Sequence, residues 1–154
     1  MSHTWVLITD AARARLFQID GRDGMAEVAC LSNPERRTVT HDRDLNDRLP
    51  RTIESGSAHR SAIEPHTTLR EKSERQFARA VAERLEHDAE RQQYEHLILV
   101  APPRFLGVLR EHLPEALHRR VVGEIRHDLV SASTQELKER LQEAFPREFQ
   151  RHSS

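Results

Sequence analysis

Cysteine is almost missing from this chain: Cys30 is the only one in 154 residues. That excludes an intramolecular disulfide and any zinc site built on several thiolates. Glycine is scarce as well, at five residues. None of the five falls in the spaced pattern of a phosphate-cradling loop, and there is no GxSxG nucleophile elbow. No stretch approaches the roughly 20 apolar residues of a membrane-spanning helix. An excess of one charge is also lacking, since 24 Lys and Arg oppose 25 Asp and Glu for a net charge of −1. Indiscriminate nucleic-acid binders carry a basic surplus, so this composition excludes that class and leaves only a local basic patch. The opening MSHTWVLITD has no basic region leading into an apolar stretch, so no signal peptide is expected. These absences together predict a soluble, cytoplasmic protein without a membrane partner.

Hydrophobic residues make up 36% of the chain and charged residues 32%, which predicts a small core under a large solvated surface. The length fits one domain of roughly 100–200 residues, spanning 1–154. Its first third reads as strands. TWVLIT (4–9) is densely apolar, and RARLFQI (13–19) alternates. AEVACLS (26–32) follows DGRDG, whose Asp-Gly pairs signal a turn. Three strands joined by short turns make an antiparallel meander. Free cysteine is commonly buried, and the apolar neighbours of Cys30 predict that here.

Residues 33–71 are polar, contain three prolines and lack apolar periodicity, so they are expected to form a long mobile loop. From Lys72 the period becomes helical. Phe77, Val81, Leu85 and Ala89 mark one apolar stripe over about five turns, with Glu74, Glu83 and Glu86 turned to water. HLILVA (96–101) reads as a strand buried on both faces. Residues 105–117 read as helical, interrupted or kinked at Pro114, and 121–129 as a strand. Ser133 and Glu136 have capping-box spacing ahead of a helix whose Leu137, Leu141, Ala144 and Phe145 are expected to face inward. The predicted fold is α/β: a ribonuclease H-like mixed five-stranded sheet, with the meander followed by helix, strand, helix, strand, helix.

A metal-dependent ribonuclease H-like hydrolase needs several carboxylates around two metal ions. Asp10 ends the first strand suitably, but the strand 96–101 runs into Pro102 and Pro103 where a second acid is required. That reading ranks last. The ten histidines form no HExxH or other tight ligand spacing, so no metal and no cofactor is expected. Arg104 is the better candidate. It follows a rigid Pro-Pro at the carboxyl end of a strand, where open α/β sheets gather ligands. Asp10, Arg13, His127 and Asp128 are expected on the same rim. The alternative role for Arg104 is a pin to Asp10 or Asp128.

WVLITDAARARLFQI, QFARAVAERL, LILVAPPRFLGVLR and HDL, in that order, resemble the bacterial host attachment protein family, described as proteins required for attachment to host cells. That family is in turn similar to the middle domain of archaeal and eukaryotic peptide-chain release factors. The resemblance implies a ribonuclease H-like fold and a translation-associated, RNA-binding role. SERQFARAVAERL looks like the helix after the release-factor loop that carries Gly-Gly-Gln. Here that loop reads ESGSAHRS, with one glycine and no following glutamine, so no catalytic residue is assigned. Gly56, His59 and Arg60 in it become partner-binding candidates. The partner implied is the ribosome or tRNA; the alternative is a protein partner with an indirect role in attachment.

Overall fold

The computed structural model describes residues 3–21, 24–35 and 56–151, and for 56–67 the backbone alone. Strands β1 (Thr4–Thr9), β2 (Arg13–Ile19), β3 (Met25–Ser32), β4 (His96–Val100) and β5 (Val121–Ile125) form one sheet. Its order is β3-β2-β1-β4-β5. β1–β2 and β2–β3 pair antiparallel, whereas β4 runs parallel to β1 and β5 parallel to β4. The helices are α1 (Gly56–Glu90), α2 (Pro103–His112), α3 (Glu115–His118), α4 (Thr134–Ala144) and α5 (Pro146–Arg151).

Alternation along the strands explains the three layers. Side chains two apart share a face. Trp5, Leu7, Leu16, Leu97 and Leu99 therefore meet Phe77, Val81 and Leu85 of α1, Phe105, Leu106 and Leu109 of α2, and Leu117 of α3. Val6, Ile8, Phe17, Ile19, Ile98 and Val100 point the other way and meet Leu137, Leu141 and Phe149 of α4 and α5. Every residue of β1 is buried. Each fully buried Leu, Ile or Phe contributes about 1.5–3 kcal/mol over leaving it in water.

Several expectations change. α1 starts at Gly56, sixteen residues ahead of Lys72, so the second part of the expected loop is helical and includes Pro65. Residues 68–70 of the missed portion are exposed, and periodicity cannot reveal a helical stretch that carries no apolar stripe. Residues 36–55 of the expected loop lie outside the described residues. Cys30 is exposed rather than buried. It sits opposite Arg15 on β3, the edge strand of the sheet, where an apolar run is not covered on both faces. At Pro114 the helix is interrupted, one of the two expected forms, and α2 and α3 are separate. β5 ends at Ile125, and Ala144 faces solvent while Leu137 and Leu141 face in. The predicted cap holds: the Glu136 amide donates to Ser133 Oγ at 3.1 Å.

At β5 the chain has a glycine for a steric reason. A Cβ on Gly123 would overlap the far edge of the Phe145 ring, which closes α4 onto the sheet. Gly123→Ala is expected to lower stability by about 1–3 kcal/mol in urea denaturation, with part of the loss recovered when Phe145→Ala is added.

Candidate functional site at the carboxyl edge of the parallel strands

The parallel register brings Ile8 beside Val100 and Val100 beside Ile125. Asp10, the Pro102–Arg104 junction and the His127–Asp128 loop therefore emerge at one edge of the sheet, as the sequence predicts. Asp10 closes the β1–β2 turn there. Its Oδ1 accepts from the amides of Ala12 and Arg13 at 2.8 and 2.9 Å. Arg13 Nη2 donates to the Val130 carbonyl at 3.1 Å and to Ser131 Oγ at 3.4 Å. Arg15 Nη1 adds bonds to the Val130 and Ala132 carbonyls at 2.9 and 2.8 Å. Two arginines of β2 thus hold the chain that leads into α4, and both Asp10 and Arg13 are occupied by internal bonds.

Pro102 and Pro103 convert β4 into α2 within two residues. Proline holds the preceding residue extended, and Pro102 has φ −60° and ψ 148°. Pro103 opens the helix, where a missing amide hydrogen costs nothing. Arg104 follows at once, with two-thirds of its side chain in solvent, and its Nη2 donates to Glu74 Oε1 of α1 at 3.1 Å. Glu74 is buried, in contrast to the solvent-facing position expected for it. The expected pins to Asp10 or Asp128 are replaced by this one, because the first turn of α2 packs on α1, with the Phe77 and Phe105 rings 6.2 Å apart. Beside it, buried Asn33 donates to Ser73 Oγ at 3.1 Å and to the Ala11 carbonyl at 3.0 Å, tying α1 to the β1–β2 turn.

His127 and Asp128 are exposed on the loop after β5. Gly56, His59 and Arg60 come from another part of the chain. They lie in the first turns of α1 rather than on a loop, and Arg60 precedes Glu74 by about 20 Å of helix. Their side chains lie outside the described residues. Among the described residues, no three His, Cys, Asp or Glu side chains converge as a metal site.

The outer face of α1 beside Arg104 carries charge in two blocks. Positions 72, 75, 79, 83, 86 and 90 recur at helical spacing and are all exposed. The three nearest the carboxyl edge are Lys72, Arg75 and Arg79; the three farthest are Glu83, Glu86 and Glu90. This segregation is readable in the sequence once the helix is known to present that face to solvent.

A second feature escaped the sequence reading. At the amino edge of the same strands, a cleft of about 570 Å³ is lined by His3, Gln92, Tyr94, Glu95, Arg119 and Arg120, among others. Tyr94 anchors it. Its ring stacks on Trp5 with centroids 5.1 Å apart, and its hydroxyl donates to the Leu85 carbonyl at 2.7 Å. Burial pushes its phenol well above the ordinary value of 10.0, against the pull of the Arg120 guanidinium. The adjacent Arg119-Arg120 pair and the lone tyrosine were the available signals.

The fold is that of a three-layer α/β protein, a mixed five-stranded sheet with helices on both faces. Residues 5–141 match the family of proteins required for attachment to host cells, and the chain belongs to that family. A Rickettsia prowazekii (strain Madrid E) relative, described as "Uncharacterized protein RP470", is 39% identical over 72 residues, covering 46% of this chain and 48% of that one. The match thus spans about half of the relative. A solved structure described as an archaeal protein superposes over 97% of this chain and 36% of its own, with TM-score 0.52 and 15% identity. The archaeal translation termination factor aRF1 aligns over 97% of this chain and 40% of its own, at TM-score 0.45 and 10% identity.

Two outcomes follow from the two edges. Arg104→Ala is expected to cost about 1 kcal/mol in urea denaturation, the exposed side of the pair being screened. A double-mutant cycle with Glu74→Ala should recover a coupling of that size. At the other edge, the protonated Tyr94 is the form favoured by folding. Its contribution is complete below pH 10.0 and is lost as pH rises above that value. Tyr94 is the only tyrosine, so phenolate absorbance should stay flat in the folded protein past its ordinary range and appear with alkaline unfolding.

Proposed function

We propose that this host attachment family protein is a binding module that engages RNA, as ribosome or tRNA, through its carboxyl edge, and that it carries out no peptide-release chemistry there. The observation that carries the reading is the basic block Lys72, Arg75 and Arg79, which stands in solvent next to an Arg104 held in place by Glu74. Helical spacing sets these cations about one turn apart on a rigid rod, an arrangement suited to a phosphodiester backbone. The chain as a whole is nearly neutral, so such binding is confined to this surface. Arg104, His127 and Asp128 are the rim residues left facing solvent, whereas Asp10 and Arg13 shape the rim from beneath. The release-factor resemblance of the sequence supplies the choice of RNA as partner. The absence of a Gly-Gly-Gln loop from the sequence removes the group that would orient a hydrolytic water.

The test is co-sedimentation of the full chain with bacterial ribosomes, and retention of tRNA, at low and at physiological salt. Binding is expected to weaken steeply with salt. Lys72→Glu, Arg75→Glu and Arg79→Glu together should abolish it and leave the melting curve in place. Failure to bind either RNA at low salt would overturn the RNA reading and redirect the search to protein partners.

A further inference from the structure

The amino-edge cleft lies at the other end of the strands from the proposed RNA surface and is independent of it. We propose that this cleft is a binding site for a small organic oxyanion, a phosphate monoester or a carboxylate, held by Arg119 and Arg120.

Three observations converge on that chemistry. The cleft, at about 570 Å³, falls within the roughly 300–1,000 Å³ typical of small-molecule sites and far exceeds what a bare ion fills. Neither of its arginines is paired with a carboxylate among the described residues. Arg119 is exposed and makes no side-chain hydrogen bond or ion pair with the described residues. Half-buried Arg120 uses only Nη1, which donates to the Tyr94 carbonyl at 2.6 Å, while its guanidinium lies 5.7 Å above the Tyr94 ring. That leaves Nε and Nη2 as a planar fork already oriented by stacking, the geometry that recognises a phosphate or carboxylate with two bonds. The one carboxylate in the wall, Glu95, is mostly exposed and lies 3.7 Å from His96 Nε2, and it forms no pair with either arginine.

The third observation is conformational. Gln92 has φ 60°, the left-handed region in which a side chain costs about 1–2 kcal/mol. It occupies the position after the end of α1 where glycine is usual: the Gln92 amide bonds the Ala89 carbonyl and the Gln93 amide bonds the Asp88 carbonyl, both at 2.9 Å. Glycine would relieve the strain. Glutamine instead sets a primary amide in the wall of the cleft, and that amide has no partner among the described residues. Strain retained at a cleft wall next to two open arginine forks fits a hydrogen-bonding role. The oxyanion head is held by the arginines and Gln92, and the organic body lies along Ala116.

Trp5 is the only tryptophan, is buried, and stacks directly on Tyr94, so its fluorescence reports events at the cleft. The full chain is titrated with ribose 5-phosphate, succinate and inorganic phosphate. Amide shifts of Gln92 and Arg119 are followed by NMR in parallel. Saturation by ribose 5-phosphate alone assigns a phosphate ligand; saturation by succinate alone assigns a carboxylate; inorganic phosphate is expected to bind more weakly than either. Arg119→Ala, an exposed change that leaves the fold intact, should weaken binding about tenfold or more, equivalent to at least about 1.4 kcal/mol. Arg120→Lys should do the same despite keeping the charge, with an unchanged melting curve separating lost recognition from lost packing. No saturable response from any probe up to about 10 mM, well above a millimolar Kd, or a response untouched by Arg119→Ala, overturns the proposal.

Discussion

β1 is bonded to a strand on each side and covered by helices on each face, and the remaining architecture follows from that one constraint. A strand with all six residues buried has no solvent face, so its neighbours must be strands and its layers must be helices. Its alternate residues feed two separate clusters, one closed by α1, α2 and α3 and the other by α4 and α5. β4 shares this condition, and its pairing to β1 in parallel is what forces the long connection through β2, β3 and α1. The parallel pairing also sorts loops by edge. Chain that leaves β1, β4 and β5 gathers at one end, and chain that enters them gathers at the other.

The two edges are built differently. At the carboxyl edge, polar groups that would otherwise be stranded at strand ends are satisfied by side chains. Asp10 closes its turn, Asn33 bridges to Ser73, and Arg13 and Arg15 take up the carbonyls before α4. Such bonds add little net stability one by one, yet leaving any of their buried partners unmet is costly. Arg104 differs from these pins in keeping most of its guanidinium in water while one nitrogen is fixed. At the amino edge the Trp5–Tyr94–Arg120 stack creates a rigid wall instead, and the neighbouring arginine is left open.

Legibility of the sequence tracked how local each feature is. The runs TWVLIT and HLILVA announce strands because burial on both faces demands continuous apolar residues. The core stripe of α1 was readable from Phe77 onward for the same reason, since a packed helix face leaves a period of 3.6. The same rule hid the first turns of α1, whose sequence carries no apolar stripe. Cys30 was misread because an apolar run says what a strand is made of and not whether it lies at the edge of the sheet. Glu74 was misread because its burial depends on Arg104, thirty residues away. Of the candidate residues, Asp10, Arg13, Arg104, His127 and Asp128 share an edge as expected, since strand order and direction suffice to place strand ends. Gly56, His59 and Arg60 fall in the first turns of α1 instead of a loop.

By itself the sequence determined the five strands, the packed part of α1, the sharp Pro102-Pro103 turn into α2 and the Ser133 cap of α4. Each depends on residues within a few positions of one another, where backbone sterics and side-chain period decide. Only the tertiary structure decided which carboxylate holds Arg104, which strand lies exposed at the edge, and that His3, Gln92, Tyr94, Glu95, Arg119 and Arg120 surround one cleft. Those residues come from chain entering three different strands, and no local propensity encodes the parallel register that brings strand beginnings together.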